Sequence, residues 1–412
     1  MSMKKELEAV VEQIRPSDKK LLKEVNDFIK KLNAELKVKG IRAKTVMGGS
    51  IAKDTYLKGD HDCDLFVRFH KSYADKDISK LLGAVLKPFR PVKVHGSRDY
   101  YHIKNGINYE IVPVLEITDA KDAVNVTDMS PMHVTWVKDH PGLTDEIRLA
   151  KQFCKASGVY GAESYIKGFS GHVLDILVIQ YGGFVNFLKA TQKWKDKEVI
   201  DPEKHYKKDA LQKLNRSKID SPIIVIDPVC PERNAAAALS GEKLDMLKAA
   251  AAKFLKEPSK DLFVVREKST VDIKTGAGKN KTIMLEVTAF RGKEDVVGAK
   301  LLKAFQQIHN QLRFYDFEVI DAGWKWNKKE KALFWYVLDP KDLIQIKKWI
   351  GPPLRETERI KNFESKHGNT FVEDGRVCTY VKRKYVNAEA LIDDIIKDDE
   401  HLYEKVKRVV RK

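Results

Sequence analysis

The amino-acid sequence predicts a multidomain protein of the α+β class. Its 412 residues exceed the size of one ordinary domain, and 43% of them are hydrophobic, enough to build several cores. The pattern of predicted elements changes twice: strands and helices alternate over 1–137, helices dominate 138–257, and a mixed pattern fills 258–412. We therefore expect an N-terminal sheet with helices, a helical middle domain and a mixed α/β C-terminal body and tail.

Hydrophobic periodicity defines the elements of the N-terminal domain. Residues 18–37 place apolar side chains at helical spacing, at Leu21, Val25, Phe28, Ile29, Leu32 and Leu36. A strand over 41–47 leads into Gly48-Gly49-Ser50. The other predicted elements are strands over 62–69, 92–95, 99–104 and 107–115 and a helix over 76–88.

The middle of the chain favours helices. Thr144 caps a helix whose first turn carries Asp145 and Glu146, the charge that a helix N-terminus favours. Further helices are predicted over 170–181, 184–193 and 240–256. Beyond them we predict strands over 261–267 and 281–290, a helix over 297–313, a hairpin joining 317–326 to 331–338, and a charged helix over 387–411.

Positive charge is the most informative feature of the composition. The net charge of +17 is spread along the chain, and such a balance indicates nucleic acid or a membrane surface as partner. A solvated surface without such a partner is the alternative. No apolar run approaches the about 20 residues of a membrane span, and the N-terminus does not read as a signal peptide. We expect a cytoplasmic protein with no membrane partner.

Two carboxylates on one strand suggest a metal site. Asp62 and Asp64 are two residues apart, so their side chains point to the same face of the predicted strand. A bound cation would relieve their mutual repulsion, and carboxylate oxygens are hard ligands that suit Mg²⁺. Asp60 and Asp62 form an alternative pair of the same spacing. We favour Asp62 and Asp64, because apolar residues follow Asp64 directly.

Two further features strengthen this weak signal. Gly49-Ser50 lies upstream, where a glycine lets phosphate oxygens approach the backbone and a hydroxyl with free N–H groups can cradle them. Glu110 interrupts an apolar predicted strand and can supply a third acid. The alternatives are a Gly-Ser turn without a ligand and a solvent-facing acid on an edge strand.

The segment Met47–Phe66 resembles the nucleotidyltransferase signature of the polymerase-beta superfamily. Its form, with Ala52-Lys53 before Thr55 and Leu57 before Gly59, is similar to the archaeal, class I CCA-adding enzymes. Later segments support this narrower resemblance: Ser130-Pro131-Met132-His133, Gly158–Glu163, Gly168–Gly171, Asp227-Pro228-Val229, Arg233–Ala237 and Ile350–Pro353.

The resemblance implies an activity and a catalytic centre. Such enzymes add C, C and A to the 3′ end of tRNA without a nucleic-acid template, using CTP and ATP and releasing pyrophosphate. A palm-like catalytic head would occupy 1–137, a neck that recognises the nucleotide base 138–257, and a tRNA-binding body and tail 258–412. Asp62, Asp64 and Glu110 would hold two Mg²⁺ ions, although members often carry aspartate at the position of Glu110.

The resemblance also implies the substrate contacts. Ser50 and Lys53 would contact the triphosphate, and His133, Lys151 and Tyr160 would complete the ATP and CTP site. Arg233 would help to read the base, together with the tRNA backbone. The acceptor stem and TΨC arm of tRNA would be the partner surface, and a homodimer is a possible assembly.

Aromatic residues alternate with cations in the C-terminal part, which fits contact with RNA. Examples are Trp324-Lys325-Trp326 and the run from Tyr380 to Tyr385, although alternate tryptophans can equally form one buried strand face. Three other functions stay open at this point: another RNA nucleotidyltransferase such as a poly(A) polymerase or an oligoadenylate synthase, a catalytically inactive RNA-binding relative, and a small-molecule nucleotidyltransferase.

Overall fold

The computed structural model describes residues 2–17, 19–60, 62–206, 209–266 and 268–412. The chain divides into two compact units, Met1–Arg266 and Glu267–Lys412, and each is described by itself. The finer division at 137/138 and 257/258 stays a prediction from sequence.

A five-stranded mixed sheet organises the first part of the N-terminal unit. Its strands are β1 (Ala43–Met47), β2 (Asp62–Phe69), β3 (Val92–Val94), β4 (Tyr100–Asn105) and β5 (Ile107–Leu115). The order across the sheet is β1-β2-β5-β4-β3. Strands β2 and β5 run parallel, whereas the other neighbours are antiparallel. The predicted α+β class and these five strands are confirmed.

One face of this sheet is covered by a helix with the predicted apolar stripe. The first four helices are α1 (Met3–Ile14), α2 (Lys19–Val38), α3 (Gly49–Ala52) and α4 (Ile78–Leu86). Helix α2 buries Val25, Phe28 and Leu32 in the same core as Cys63 and Leu65 of β2. Because side chains alternate along a strand, Asp62 and Asp64 lie on the opposite face from this core.

The rest of the N-terminal unit is mostly helical. Its elements are α5 (Ser130–Lys138), α6 (Thr144–Ala156), α7 (Gly171–Tyr181), α8 (Phe184–Thr191), α9 (Ala210–Lys213), α10 (Gly241–Lys256) and the parallel pair β6 (Glu198–Ile200) and β7 (Ile223–Val225). Phe153, Phe184 and Phe254 form an aromatic cluster at its centre. Val10 and Ile14 of α1 pack into this core, so α1 joins the helical part.

The C-terminal unit contains two antiparallel sheets. Its helices are α11 (Thr270–Ala277), α12 (Glu294–Phe314), α13 (Thr357–Lys366), α14 (Ala388–Asp398) and α15 (Glu400–Tyr403). Its strands are β8 (Lys281–Thr288), β9 (Val319–Trp326), β10 (Lys331–Leu338), β11 (Ile346–Pro353), β12 (Thr370–Glu373), β13 (Arg376–Lys382) and β14 (Arg408–Arg411). The sheet orders are β14-β8-β10-β9 and β11-β13-β12, and the first confirms the predicted hairpin.

Two sequence predictions in the second half were wrong. In place of a strand over 261–267, of which residue 267 lies outside the described residues, a 3-10 helix spans Lys260–Phe263. Its Phe263 is drawn into the aromatic cluster 5.4 Å from Phe153, and this tertiary contact overrides the local pattern. The helix predicted over 387–411 ends at Asp398, and Arg408–Arg411 pairs with β8, where Val409 is buried.

Among the described residues, no single helix is long and apolar enough to cross a membrane. Helices α7 and α8 pass that test only as a pair, and the pair is bent by 94°.

Asp128 anchors the end of β5 and provides a test of the fold. Its carboxylate is completely buried, pairs with Arg98, and accepts hydrogen bonds from the N–H groups of Leu115 (2.8 Å) and Asn125 (2.9 Å). Asp128→Asn leaves Arg98 without its charge partner, so we expect the free energy of unfolding to fall by about 3–5 kcal/mol.

Urea unfolding of the full chain measures this change. Asp122→Asn, which alters an exposed acid in the same loop region, is the control and should stay within about 0.5 kcal/mol of the parent. Equal stability of the two variants would contradict a structural role for Asp128.

Candidate active site

Three carboxylates converge where β2 and β5 begin. In the parallel register Asp64 lies opposite Glu110 and Asp62 opposite Asn108, so all four side chains share one face. The Asn108 amide donates to Asp62 Oδ1 at 3.0 Å. His102 Nε2, on the neighbouring strand β4, lies 3.1 Å from Glu110 Oε2. The sheet therefore brings the predicted acids together.

The acids interact electrostatically. Burial, reinforced by the charges of Glu110 and Asp62, raises the pKa of Asp64 to about 6, and Lys53 opposes this rise. A nearby cation would stabilise the ionised form of such a carboxylate and lower its pKa. Three hard oxygen donors on one face are the ligand set that Mg²⁺ prefers, so the residues present fit such an ion.

Gly48 and Gly49 allow the backbone that follows β1 to approach Asp64 and Phe66 of β2 closely. The Gly48 N–H donates to the carbonyl oxygen of Asp64 at 2.7 Å. Gly49 has φ +53°, and a Cβ atom there would overlap the Asp64 carboxylate. A Cβ atom on Gly48 would overlap the Phe66 ring. A side chain at either position would force Asp64 or Phe66 to move, which favours glycine at both, and Ser50 follows in the first turn of the short helix α3.

Asp60 has other partners. Its Oδ1 lies 3.2 Å from Lys155 Nζ, and its Oδ2 accepts from the N–H of Leu57 at 3.3 Å. Asp60 thus belongs to the loop before β2, while Asp62 begins the strand. This arrangement supports the pair Asp62 and Asp64 over the alternative register. His61 lies outside the described residues.

Lys53 and Lys151 share one buried carboxylate. Lys53 Nζ lies 2.8 Å from Asp175 Oδ2, and Lys151 Nζ lies 3.2 Å from Asp175 Oδ1. Lys151 also donates to Thr55 Oγ1 at 2.7 Å. The sequence analysis assigned both lysines to the nucleotide site but missed Asp175. A charged residue inside the apolar run Val173–Ile179 was the available signal.

Tyr160 lies near this pair of lysines. Burial raises the pKa of its hydroxyl, which is therefore protonated and able to donate at neutral pH. Lys155 Nζ sits 5.3 Å from the centre of the Tyr160 ring. A Cβ atom on Gly171, the first residue of α7, would lie 3.0 Å from the Tyr160 hydroxyl oxygen, so α7 approaches this tyrosine closely.

His133 and Arg233 meet at a second buried carboxylate, Asp227. His133 Nε2 lies 2.8 and 3.0 Å from the two oxygens of Asp227, and Arg233 donates to Oδ2 at 3.0 Å. Although burial raises it, the hydrogen bond from His133 and the nearby His172 ring, whose Nε2 is 3.6 Å from Oδ2, hold the pKa of Asp227 below its usual range. The side chain of His133 is 8% exposed and that of Arg233 41% exposed.

His172 completes this cluster and was also missed. Its ring lies 4.3 Å from that of His133, and burial lowers its pKa to about 4, so it is neutral. Both ring nitrogens are buried and lack a hydrogen-bond partner within the described part of the chain. Ligand atoms of His133, His172 and Asp227 lie within 4.8 Å of one another, a spacing that could hold a metal ion. However, the Asp227 oxygens already accept from the N–H groups of Val229 and Cys230 as well as from Arg233.

Lys53 connects the three groups. It affects the pKa of Asp64, Asp175 and His172, so acids, lysines and histidines lie within electrostatic range of one another. A carboxylate cluster beside a buried positive cluster can hold a metal ion and a polyphosphate side by side.

Fold and site together define a nucleotidyltransferase. Residues 26–123 match the nucleotidyltransferase domain family. A solved structure of a cytoplasmic RNA terminal U-transferase aligns with 64% of this chain and 99% of its own, with a TM-score of 0.50 and 15% identity. Cid1, bound to the UTP analogue UMPNPP, aligns with 64% of this chain and 98% of its own, also with a TM-score of 0.50 and 15% identity. At this identity the likeness concerns the fold alone.

The other matches give the family. Residues 145–264 match the second domain of tRNA nucleotidyltransferase, and 282–412 match the C-terminal domain of CCA-adding enzyme. The CCA-adding enzyme of Nanoarchaeum equitans is 38% identical over 82% of this chain and 84% of its own. That of Methanococcus maripaludis is 31% identical over 95% and 90%. The chain belongs to the family of CCA-adding enzymes, which are tRNA nucleotidyltransferases, and the resemblance found in the sequence is confirmed.

The contact between Gly49 and Asp64 predicts a large effect of one methyl group. Gly49→Ala adds a Cβ that displaces the Asp64 carboxylate, and a displacement of about 1 Å at reacting groups can lower kcat/KM about 100-fold. Steady-state nucleotide incorporation measures the effect.

Gly59→Ala is the matched control. Gly59 also has a positive φ, of +89°, but a Cβ there would meet no atom within 4 Å. It should retain kcat/KM within about threefold while losing about 1 kcal/mol of stability to backbone strain. An equal loss of kcat/KM in the two variants would attribute the effect to backbone strain, and an unchanged kcat/KM in Gly49→Ala would contradict the clash with Asp64.

Proposed function

We propose that this chain adds C, C and A, without a nucleic-acid template, to the 3′ end of tRNA, with CTP and ATP as substrates and release of pyrophosphate. The observation that carries the proposal is the convergence of Asp62, Asp64 and Glu110 beneath the Gly48-Gly49-Ser50 turn. It occurs in a chain whose relatives named CCA-adding enzymes match it over most of its length.

In this proposal Asp62, Asp64 and Glu110 hold two Mg²⁺ ions. When bound, such ions activate the attacking 3′-hydroxyl and stabilise the leaving pyrophosphate. Glu110 projects from β5 beside Asp64, and His102 lies close enough to fix one of its carboxylate oxygens. This pairing supports Glu110 as the third ligand, near the attacking hydroxyl.

The ATP and CTP site is assigned to six side chains around the acids. Lys53 and Lys151 outnumber the single carboxylate of Asp175, so the buried cluster carries surplus positive charge suited to a triphosphate. Ser50 offers a hydroxyl at the glycine turn, and Tyr160 offers one beside the lysines.

His133 orients Arg233 through Asp227, and the exposed part of the guanidinium is free to meet the base or the tRNA backbone.

The C-terminal unit is assigned to the acceptor stem and TΨC arm of tRNA. Tyr380 is 63% exposed and lies opposite Lys348 in the β11–β13 register, so an aromatic and a basic residue are neighbours on this sheet. Trp324 and Trp326, in contrast, are partly buried and pack against the hydrophobic core of this unit. A homodimer and a cytoplasmic location stay predictions from sequence.

Product length tests the proposed function. Purified protein, Mg²⁺, CTP and ATP are incubated with tRNA that lacks its CCA end, and products are resolved at single-nucleotide resolution. We expect addition of C, C and A and then a stop. An open-ended tail would support a poly(A) polymerase instead, and no incorporation would favour an inactive RNA-binding relative.

Asp64→Asn tests the role of the acids. The amide cannot replace an anionic metal ligand, so we expect kcat to fall at least about 1,000-fold, the scale of removing a main electrostatic contributor. Asp75→Asn, an exposed acid of the same unit, is the control and should retain activity. Full incorporation by Asp64→Asn would exclude the proposed mechanism.

Salt dependence tests the basic surface. If binding neutralises six phosphates, tRNA affinity should fall about 1,000-fold between 50 and 200 mM salt through counterion release. Fluorescence anisotropy with labelled tRNA measures this slope. An affinity that does not change with salt would rule out a mainly phosphate-reading surface.

A further inference from the structure

A single carboxylate joins the two lysines that we assign to the nucleotide. Asp175 lies on α7 among buried apolar neighbours, and its side chain is 2% exposed. The side chains of Lys53 and Lys151 are 8% and 5% exposed. Three charged groups in such an interior persist only when they pair with one another.

The lysines arrive from separate elements. Lys53 directly follows α3, whereas Lys151 lies within α6. A lysine side chain is a flexible four-carbon stem, and it loses rotamer entropy when its ammonium group is held in one place. The Asp175 carboxylate contacts both ammonium groups, one with each oxygen, and so relates elements that are far apart in sequence.

The charge balance distinguishes this cluster from a purely structural ion pair. Asp128 faces one buried cation, Arg98, whereas Asp175 faces two. Asp60, Asp64, His172 and the Tyr160 hydroxyl also lie within electrostatic range. Asp60 is paired with Lys155, and we assign Asp64 to the metal ions. One buried positive charge is therefore left for an anionic ligand.

We propose that Asp175 is a positioning residue for the nucleotide: it fixes the ammonium groups of Lys53 and Lys151 so that the triphosphate meets two preplaced donors. The inference rests on the proposed nucleotide site and deepens it. Burial lowers the pKa of Lys151, and the charge of Asp175 opposes this effect, which is consistent with the same role.

Steady-state kinetics of Asp175→Asn tests the inference. The amide cannot hold two cations, so we expect KM for CTP and ATP to rise about tenfold or more, with KM for tRNA changed less than about twofold. Asp175→Glu keeps the charge but displaces it by one methylene, so its nucleotide KM should lie between the two, about threefold above the parent.

Asp128→Asn is the matched control, because it removes a buried carboxylate that faces another cation in the same unit. It should lower the melting temperature with no change in nucleotide KM. If Asp175→Asn does not fold, Asp175→Glu decides: a nucleotide KM equal to that of the parent overturns the inference. A folded Asp175→Asn with unchanged nucleotide KM, or with KM for tRNA raised equally, also overturns it.

A second readout does not depend on catalysis. Inorganic tripolyphosphate should raise the melting temperature of the parent and of Asp128→Asn, and raise that of Asp175→Asn less. An equal shift in all three proteins would overturn the inference. Failure of the proposed function would appear separately, as a parent that adds no C, C and A to tRNA.

Discussion

Repulsion between three carboxylates is the main electrostatic constraint on the sheet of the N-terminal unit. The parallel register of β2 and β5 forces Asp64 and Glu110 together, and Asp62 follows two residues from Asp64. Desolvation of Asp64 is unfavourable, as its raised pKa shows. The opposite face of the same strands offsets this cost by burying Cys63 and Leu65 against α2. The hydrophobic core thus holds in place an arrangement of acids that a bound cation would stabilise.

Neighbouring clusters of this unit carry opposite surplus charge. The acids on the sheet have more negative than positive charge, and the group around Asp175 has more positive than negative charge. A metal–nucleotide complex has the complementary pattern, with cations on one side and phosphates on the other. Lys53 lies at the junction, because it pairs with Asp175 and also acts on Asp64. Asp227, with Arg233 and two histidines, forms a further polar cluster in this unit.

The sequence was informative where structure depends on neighbours along the chain. Helix α2, strand β2 and the β9–β10 hairpin follow from periodicity, and the acids follow from the spacing of Asp62 and Asp64. Contacts between distant residues were not accessible, since Lys53 and its partner Asp175 are 122 positions apart. The same limit explains why β14 was predicted as the end of a charged helix. Its strand conformation depends on pairing with β8, which is distant in the sequence. Roles of individual site residues stay predictions.

Glu110 shows how the sheet can accommodate a longer acid where the family resemblance often implies aspartate. The extra methylene gives its carboxylate more freedom, and that freedom would weaken a metal ligand. His102 limits it, because β4 is antiparallel to β5 and places His102 directly opposite Glu110. The imidazole lies 3.1 Å from one carboxylate oxygen and so restricts the side chain. A hydrogen-bonding partner on the next strand thereby restores the order that a shorter side chain has by itself.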